Sequence, residues 1–201
     1  MTTHAPATDV LRALPSRRGH FMLESGYHTD LWITLDALFV DPASIAPDVA
    51  ALAERLRGHA PTAICGPLFG GAFLAQALAT TLEVKFFVVE PAPAEPAPAG
   101  GLFTARYRLP PGQRSLVRGE RVAVVDDVIS AGSSVRAAIA ALTDAGASIA
   151  AVGALLVLGE AGLTYFGAQA VAVEALDQRA LALWDPADCA LCRAGAPLER
   201  P

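Results

Sequence analysis

The amino-acid sequence predicts an α/β fold, with a Rossmann-like core in which helices cover both faces of a parallel sheet, and a small hood formed by the N- and C-terminal segments. Several apolar runs are continuous rather than alternating, among them residues 62–65, 84–89 and 122–125. Strands of this kind are typical of a sheet that is buried on both faces. The chain has 201 residues, 53% of them apolar, so it is long enough to bury a substantial core.

The elements before this core follow from local signals. Residues 8–14 favour a short opening helix that ends before Pro15. Residues 20–23 and 31–35 are predicted to be two short strands, because the Ser25–Gly26 turn lies between them. Residues 44–56 repeat apolar side chains at intervals of three and four, which predicts an amphipathic helix.

Strands and helices then alternate along the chain. Residues 71–82 and 133–145 are predicted to be helices, and Gly146 is placed to end the second one. Residues 149–158 form a long apolar run that reads as a strand, and residues 170–173 are predicted to form one more. Parallel strands joined in this way are expected to have right-handed connections.

Residues 1–201 are predicted to form a single domain. Its core would span about residues 40–160, with 1–39 and 160–201 as the accessory segments of the hood. Residues 91–101 stand apart because they alternate proline with alanine and end in two glycines. Such a segment cannot pair as a central strand. Two interpretations stay open, a mobile flap over a ligand and a surface linker.

Composition excludes several classes of protein. The net charge of −5 argues against a nucleic-acid surface, which needs clustered Lys and Arg. The longest uncharged stretch, residues 60–82, is interrupted by Pro and Gly in its first half, so it is not expected to span a membrane. The N-terminus lacks the pattern of a secretory signal, and three cysteines suit a reducing compartment. We therefore expect a cytoplasmic protein.

One run carries the strongest chemical signal in the sequence. A buried strand over residues 122–125 delivers two carboxylates, Asp126 and Asp127, to its carboxyl end, where ligands of open α/β sheets bind. A small, hydroxyl-rich segment leads from them into the next helix, and its amides are placed to bind a phosphate. This segment consists of Val128, Ile129, Ser130, Ala131, Gly132, Ser133 and Ser134.

Asp126 and Asp127 would repel a phosphate that touched them. They are better suited to accept hydrogen bonds from sugar hydroxyls, or to hold Mg²⁺ through water. The strand, the two acids and the loop therefore predict a pocket for a phosphorylated sugar. The alternative is that the acids only cap a helix and that the loop is an ordinary turn.

This run resembles the signature of the type I phosphoribosyltransferases, which join the ribose of 5-phosphoribosyl 1-pyrophosphate to a nitrogenous base. The resemblance implies that Asp126 and Asp127 contact the ribose and that residues 130–134 bind its 5′-phosphate. It also implies Mg²⁺ as cofactor and a homodimer. Within the family the chain is most similar to orotate phosphoribosyltransferases, because residues 21–30 match their N-terminal segment. The likeness covers about residues 21–158.

A second motif ends one strand and opens a helix, as the pyrophosphate-binding loop of that family does. It is not a P-loop, because Ala72 and Phe73 stand where a Lys and a Ser or Thr are required. The resemblance assigns pyrophosphate binding to Gly66, Pro67, Leu68, Phe69, Gly70 and Gly71.

The chain also departs from the orotate enzymes. Glu24 and Gly70 stand where those enzymes have lysines, and no arginine is present near residues 158–159, where the resemblance implies one that holds the orotate carboxylate. The interval 91–101 carries no positive charge, so we hypothesise that Arg106 and Arg108 act from a rearranged flap. These departures leave the identity of the base open: it is either orotate or another base. They also leave an alternative from a different class, a sensing protein that binds phosphoribosyl pyrophosphate or a nucleotide without turnover.

Two further features are weaker. Trp32, with Ser25 in the turn before it, is a candidate for a base pocket, although core packing between a short strand and a helix is the favoured explanation of this aromatic residue. Cys189 and Cys192 have the spacing of half a zinc site. Zinc would need a distant histidine or another subunit, and the open alternatives are a packed thiol pair and a redox role. The chain contains four histidines, His4, His20, His28 and His59.

Overall fold

The structure of the protein is a computed structural model, and it describes residues 14–23, 25–35, 38–92 and 106–200. No helix in these ranges is both long and apolar enough to cross a bilayer. In chain order the elements are β1 (Ser16–Met22), β2 (His28–Ile33), α1 (Pro42–Arg57), β3 (Ala63–Pro67), α2 (Gly70–Leu82), β4 (Lys85–Pro91), β5 (Tyr107–Arg108), α3 (Pro111–Arg114), β6 (Arg121–Ile129), α4 (Ser133–Asp144), β7 (Ser148–Leu158), α5 (Ala161–Ala168), β8 (Val173–Arg179), β9 (Leu183–Trp184) and α6 (Ala190–Arg193).

The main sheet has the strand order β5-β4-β3-β6-β7-β8 among the described residues. Strands β3, β4, β6, β7 and β8 are mutually parallel, and β5 pairs antiparallel with β4 at one edge. The prediction of an α/β fold with a largely parallel sheet is confirmed. Continuous apolar strands form this sheet because both of its faces are covered and neither can present polar side chains to water.

Alternate residues of each strand enter two separate cores. Ala123 and Val125 of β6 pack with α1 and α2, for example against Leu52 and Leu74. Val122 and Val124, one residue out of phase, pack on the other face with residues of α4 and α5. The helices therefore lie on both faces of the sheet, as the sequence predicts.

The ends of the described chain build a second, smaller sheet with the strand order β1-β2-β9. Strands β1 and β2 form an antiparallel hairpin, and β9 pairs with the start of β2. Glu199, near the C-terminal end of the described chain, is tied to β1: its carbonyl accepts from the Met22 N–H at 2.9 Å, and its carboxylate pairs with Arg17 at 2.6 Å. We call this sheet, together with α6, the hood.

Several predictions of local structure need correction. The strand predicted at 170–173 is wrong: Ala170 has a φ of +55° in a turn after α5, and β8 begins only at Val173. Strand β6 is longer than predicted and continues to Ile129, so the two acids belong to the strand itself. Residues 8–13 of the predicted opening helix and residues 93–101 of the predicted flap lie outside the described residues.

Candidate functional site

A cleft of about 350 Å³ lies at the carboxyl ends of β3 and β6, between the core and the hood. The main sheet contributes its acidic strand end and both loops predicted from the sequence, while the hood contributes one wall. The residues that line it are Leu23, Ser25, Leu31, Trp32, Ile33, Thr34, Leu35, Pro67, Leu68, Phe69, Gly70, Tyr107, Asp126, Asp127, Val128, Ser130, Ser133, Ser134, Leu158 and Leu181.

The two acids are held by the backbone that follows them. Asp126 is 9% exposed, and its Oδ1 accepts a hydrogen bond from the Asp127 N–H at 3.1 Å. The Oδ1 atom of Asp127 accepts one from the Val128 N–H at 2.8 Å. Charge-assisted bonds of this kind fix a carboxylate in one orientation. Both side chains line the cleft.

The glycines of the second motif pack directly against these acids. A Cβ atom at Gly70 would overlap Oδ2 of Asp127, and one at Gly71 would lie 2.7 Å from Oδ1 of Asp126. Only a residue without a side chain fits at 70 unless Asp127 moves. The two motifs, more than 50 residues apart in the sequence, therefore meet in one site.

The loop before α4 leaves its amides available to a ligand. Gly132 is the N-cap of this helix with a φ of +76°, and no side chain caps the helix there. In the described part of the chain, the amides of residues 131–134 donate to no backbone carbonyl. The hydroxyl-bearing Ser130, Ser133 and Ser134 line the cleft. Exposed amides at a helix N-terminus favour an anion such as a phosphate.

The remaining residues of this loop support it from within. Ile129 and Ala131 are 1% and 2% exposed, so they pack into the core and do not face the cleft. The Ser130 carbonyl accepts a hydrogen bond from the Gly162 N–H at 3.1 Å, which fastens the loop to α5. The structure thus divides the predicted binding loop into residues that face the cleft and residues that hold them there.

The loop predicted to bind pyrophosphate is divided in the same way. Pro67, Leu68, Phe69 and Gly70 line the cleft, whereas Gly66 and Gly71 do not. The Leu68 N–H donates to the Val89 carbonyl at 3.0 Å, which ties the loop to β4. The peptide bond between Leu68 and Phe69 is cis.

The hood places both predicted base-pocket residues against the cleft. Trp32 lines the cleft and also packs against Phe21, with ring centroids 6.1 Å apart. Its side chain therefore contacts both the cleft and a neighbouring aromatic ring. The Ser25 hydroxyl is buried, and it has no hydrogen-bond partner among the described residues. A buried polar atom left without a partner costs free energy, so it points to a group that a ligand supplies.

Arg106 and Arg108 lie where the described chain resumes, next to β4 at the edge of the sheet. The Ala92 N–H donates to the Arg106 carbonyl at 2.8 Å, and Arg108 pairs with Glu90 at 2.9 Å. Neither arginine lines the cleft, but Tyr107 between them does. Their role in binding a substrate therefore stays a prediction.

Among the described residues, the charged side chains that line the cleft are those of Asp126 and Asp127, and the lining includes no Lys, Arg or His. Carboxylate oxygens are ligands that Mg²⁺ accepts, directly or through water, so the donor set fits this ion. Nearby in β3, burial raises the pKa of the Cys65 thiol to about 12. Because this thiol stays neutral, Cys65 is not a nucleophile for the cleft.

Sequence reasoning missed part of the lining. Thr34 and Leu35 directly follow β2, and Tyr107 lies between Arg106 and Arg108, which were predicted to act from the flap. Local sequence signals therefore existed for these three residues. Leu158 and Leu181 gave no such signal, because only the packing of the hood on the core brings them to the cleft.

Comparison with known proteins finds one family over most of this chain. Residues 40–165 match the family model described as phosphoribosyl transferase domain. The orotate phosphoribosyltransferase of Thermotoga maritima is 31% identical over 183 residues, which cover 91% of this chain and 89% of that protein. The orotate phosphoribosyltransferase of Heliobacterium modesticaldum is 33% identical, with 91% and 88% covered.

Solved structures show the same similarity. The crystal structure of orotate phosphoribosyltransferase from Aeropyrum pernix superimposes with a TM-score of 0.60 at 26% identity, covering 81% of this chain and 87% of that one. The adenine phosphoribosyltransferase from Thermoanaerobacter pseudethanolicus has a TM-score of 0.66 at 17% identity, covering 85% and 98%. The second likeness concerns the fold alone.

Proposed function

Since the chain belongs to the phosphoribosyl transferase domain family, we propose that it transfers phosphoribose from 5-phosphoribosyl 1-pyrophosphate to orotate in pyrimidine biosynthesis. In this reaction the bond between the ribose C1 and a pyrophosphate oxygen breaks, and a bond between C1 and a base nitrogen forms. The products are a nucleoside 5′-monophosphate and pyrophosphate. The relatives named above support orotate as the base.

One observation carries this proposal: Asp126, Asp127 and the N-terminus of α4 face a single cleft, with the glycine loop packed against the acids. Ser130, Ser133, Ser134 and the amides beside them would bind the 5′-phosphate. The carboxylates would accept hydrogen bonds from the two ribose hydroxyls.

The pyrophosphate would lie along Pro67, Leu68, Phe69 and Gly70, on the side of Asp127. Binding here holds the donor so that the face of C1 opposite the leaving group stays open to the base, which lowers the entropic part of the barrier. Mg²⁺, when bound, neutralises charge on the departing pyrophosphate. Asp126 and Asp127 would orient that ion through water and the ribose oxygens.

The base would enter between the hood and the core. Trp32 offers an aromatic face for stacking, and the buried Ser25 hydroxyl offers a hydrogen bond to a polar edge of the ring. Because no arginine is present near residues 158–159, a carboxylate on the base would need a different partner from that of the orotate enzymes the sequence resembles. A panel of bases therefore belongs in the test.

The decisive experiment follows pyrophosphate release from the donor with Mg²⁺ and, in turn, orotate, uracil, adenine and hypoxanthine. We expect turnover with orotate and its loss when the ion is chelated. Asp126→Asn should lower kcat/KM by about 10- to 100-fold, since hydrogen bonds to a charged group contribute about 1.5–3 kcal/mol. Asp144→Asn, at the exposed far end of α4, is the matched control and should leave kcat/KM unchanged.

A second function is favoured by the lining of the cleft, in which the described residues contribute two acids and no cation. A sensing protein would bind 5-phosphoribosyl 1-pyrophosphate or a nucleotide there without breaking the bond at C1. Two results together would show a sensor rather than an enzyme. Calorimetry would show that the wild-type protein binds the donor and that Asp126→Asn weakens this binding, while no base would give pyrophosphate release. Absence of donor binding would contradict both.

Two further assignments go with this proposal. A homodimer is supported by the resemblance alone, and sedimentation velocity would test it. A reducing cytoplasmic location is supported by the three cysteines, which form no disulfide.

A further inference from the structure

Four metal-binding side chains meet inside the hood, away from the cleft. His20 in β1 and His28 in β2 face Cys189 and Cys192, which lie at the N-cap of α6 and within it. One ligand atom from each of the four residues lies within 4.8 Å of all the others. The function proposed above uses none of these side chains.

The separations match the corners of a tetrahedron. Bonds of about 2.0–2.1 Å from zinc to imidazole nitrogen and about 2.3 Å to thiolate sulfur place two nitrogens about 3.3 Å apart and a nitrogen and a sulfur about 3.6 Å apart. His20 Nε2 lies 3.1 Å from His28 Nδ1. His20 Nε2 lies 3.4 Å from the Cys189 sulfur and 3.7 Å from the Cys192 sulfur, and His28 Nδ1 lies 3.3 Å from the Cys192 sulfur.

The histidine tautomer fits the same geometry. His20 Nδ1 lies 2.9 Å from the carbonyl oxygen of Ala196, and a carbonyl can only accept, so Nδ1 carries the proton. In the neutral ring Nε2 then presents its lone pair to the cluster. Metal-bound histidines commonly donate their second ring N–H to such an acceptor, which fixes the orientation of the ring.

The cysteine segment has the local form of a metal-binding turn. The Cys192 N–H points to the Cys189 sulfur at 3.4 Å, so a short turn brings both sulfurs to one side. Cys189, His20 and His28 are buried, and Cys192 remains at the surface as a route of entry. Thiolate and imidazole ligands together select zinc over Mg²⁺ or Ca²⁺.

We propose that His20 Nε2, His28 Nδ1 and the sulfurs of Cys189 and Cys192 bind one structural Zn²⁺ ion that closes the hood. On binding, the two thiols release their protons, and two thiolates balance the charge of the ion. All four positions are taken by protein, as in structural sites that leave no place for substrate. The ion would join β1 and β2 to α6, segments far apart in the sequence.

This site would also position one wall of the cleft. His28 begins β2, and the same strand and its continuation carry Trp32, Thr34 and Leu35 to the cleft. The zinc ion acts on substrate only through this strand, so its four ligands are positioning residues. The inference does not depend on the proposed reaction, because it rests on ligand geometry alone.

Metal content of the full-length protein tests the proposal directly. The protein is expressed without a metal-affinity tag, purified under reducing conditions and analysed for zinc, iron, nickel and copper by mass spectrometry. We expect one zinc ion per chain. After replacement by Co²⁺, the visible bands of a tetrahedral site and a thiolate-to-cobalt charge-transfer band in the near ultraviolet should appear.

Variants assign the ligands. Cys192→Ser changes an exposed ligand and should weaken the charge-transfer band, while the double variant Cys189→Ser/Cys192→Ser should lose the metal. His59→Gln is the matched control, because His59 lies outside the cluster and pairs with Glu174. It should keep both the zinc and the cobalt spectrum. Circular dichroism would verify the folding of each variant.

Both tryptophans of the chain, Trp32 and Trp184, lie in the hood sheet, so their fluorescence reports on this region. Removing zinc from the wild-type protein with a chelator should change their emission, and added zinc should restore it. A reduced wild-type protein that takes up no zinc would overturn the proposal. So would a cobalt complex without the thiolate band, or a double cysteine variant that keeps its metal.

Discussion

The two ends of the central strands differ in how their polar groups are satisfied. At the amino ends, Glu120 accepts from Lys85 at 2.6 Å and from the Thr62 hydroxyl at 2.7 Å. The Thr62 hydroxyl accepts from the Arg121 N–H at 2.9 Å, and the Arg121 side chain donates to the His59 carbonyl at 3.0 Å. In this group the Lys85 ammonium and the Glu120 carboxylate therefore lie side by side.

At the carboxyl ends of the same strands the arrangement is the opposite. Two carboxylates, the amides before α4 and the buried Ser25 hydroxyl all lie at one cleft, and this hydroxyl has no hydrogen-bond partner among the described residues. A buried hydroxyl or amide left for a ligand to satisfy costs stability in the absence of that ligand, whereas internally satisfied groups add to stability. This difference indicates that the carboxyl ends of the strands serve ligand binding, whereas the amino ends contribute to the stability of the fold.

The largest effect is expected from Gly70→Ala at the carboxyl end. The new methyl group would overlap Oδ2 of Asp127, so the carboxylate must move. Because a displacement of about 1 Å can cost about 100-fold in rate, we expect kcat/KM to fall by about that factor while the fold is kept.

Steady-state kinetics together with a thermal melt measure this change. Gly112→Ala is the matched control, since nothing lies within 4 Å of the position of its Cβ atom. If Gly70→Ala kept wild-type kcat/KM, the close packing of the two motifs would have no bearing on activity.

A smaller effect is expected from Ser25→Ala, again at the carboxyl end. Loss of one hydrogen bond to the base should raise the KM for the base about 5- to 10-fold. The melting temperature should stay the same or rise, because the substitution removes a buried hydroxyl that has no partner in the described part of the chain. Ser115→Ala, which follows α3 at the surface, is the control. An unchanged KM would place the base elsewhere in the cleft.

The smallest effect is expected at the amino end, from Glu120→Gln. The hydrogen bond from Lys85, with a second from Thr62, holds the pKa of the Glu120 carboxyl below its usual value. Its contribution to stability is therefore complete above the ordinary pKa of a glutamate and is lost as the pH falls through the lower folded value. Near the surface we expect about 0.2–1 kcal/mol.

Denaturant unfolding at neutral pH and at about pH 3 measures this contribution. Glu120→Gln should destabilise the protein at neutral pH, and the difference from wild type should shrink as the pH falls, because the wild-type carboxyl takes up a proton and becomes neutral like the glutamine amide. Its kcat/KM should not change. A loss of activity in this variant would break the division between the two ends of the sheet.

Much of the core could be predicted from the sequence, because its signals are local. The continuous apolar run into β6, the acids Asp126 and Asp127, and Gly132 at the start of α4 together define a strand, a turn and a helix. The prediction failed at β8, where the φ of +55° at Ala170 makes a turn that apolar character alone does not reveal.

The sequence by itself determined the α/β class and the two loops of the site, since periodicity, glycines and paired acids are written in neighbouring residues. Only the tertiary structure decided that Gly70 lies against Asp127, that the Ser25 hydroxyl is buried without a partner among the described residues, and that His20 and His28 meet the two cysteines at the start of α6. Contacts of this kind join residues that are distant along the chain. They depend on how the hood and the loops pack, which no local pattern specifies.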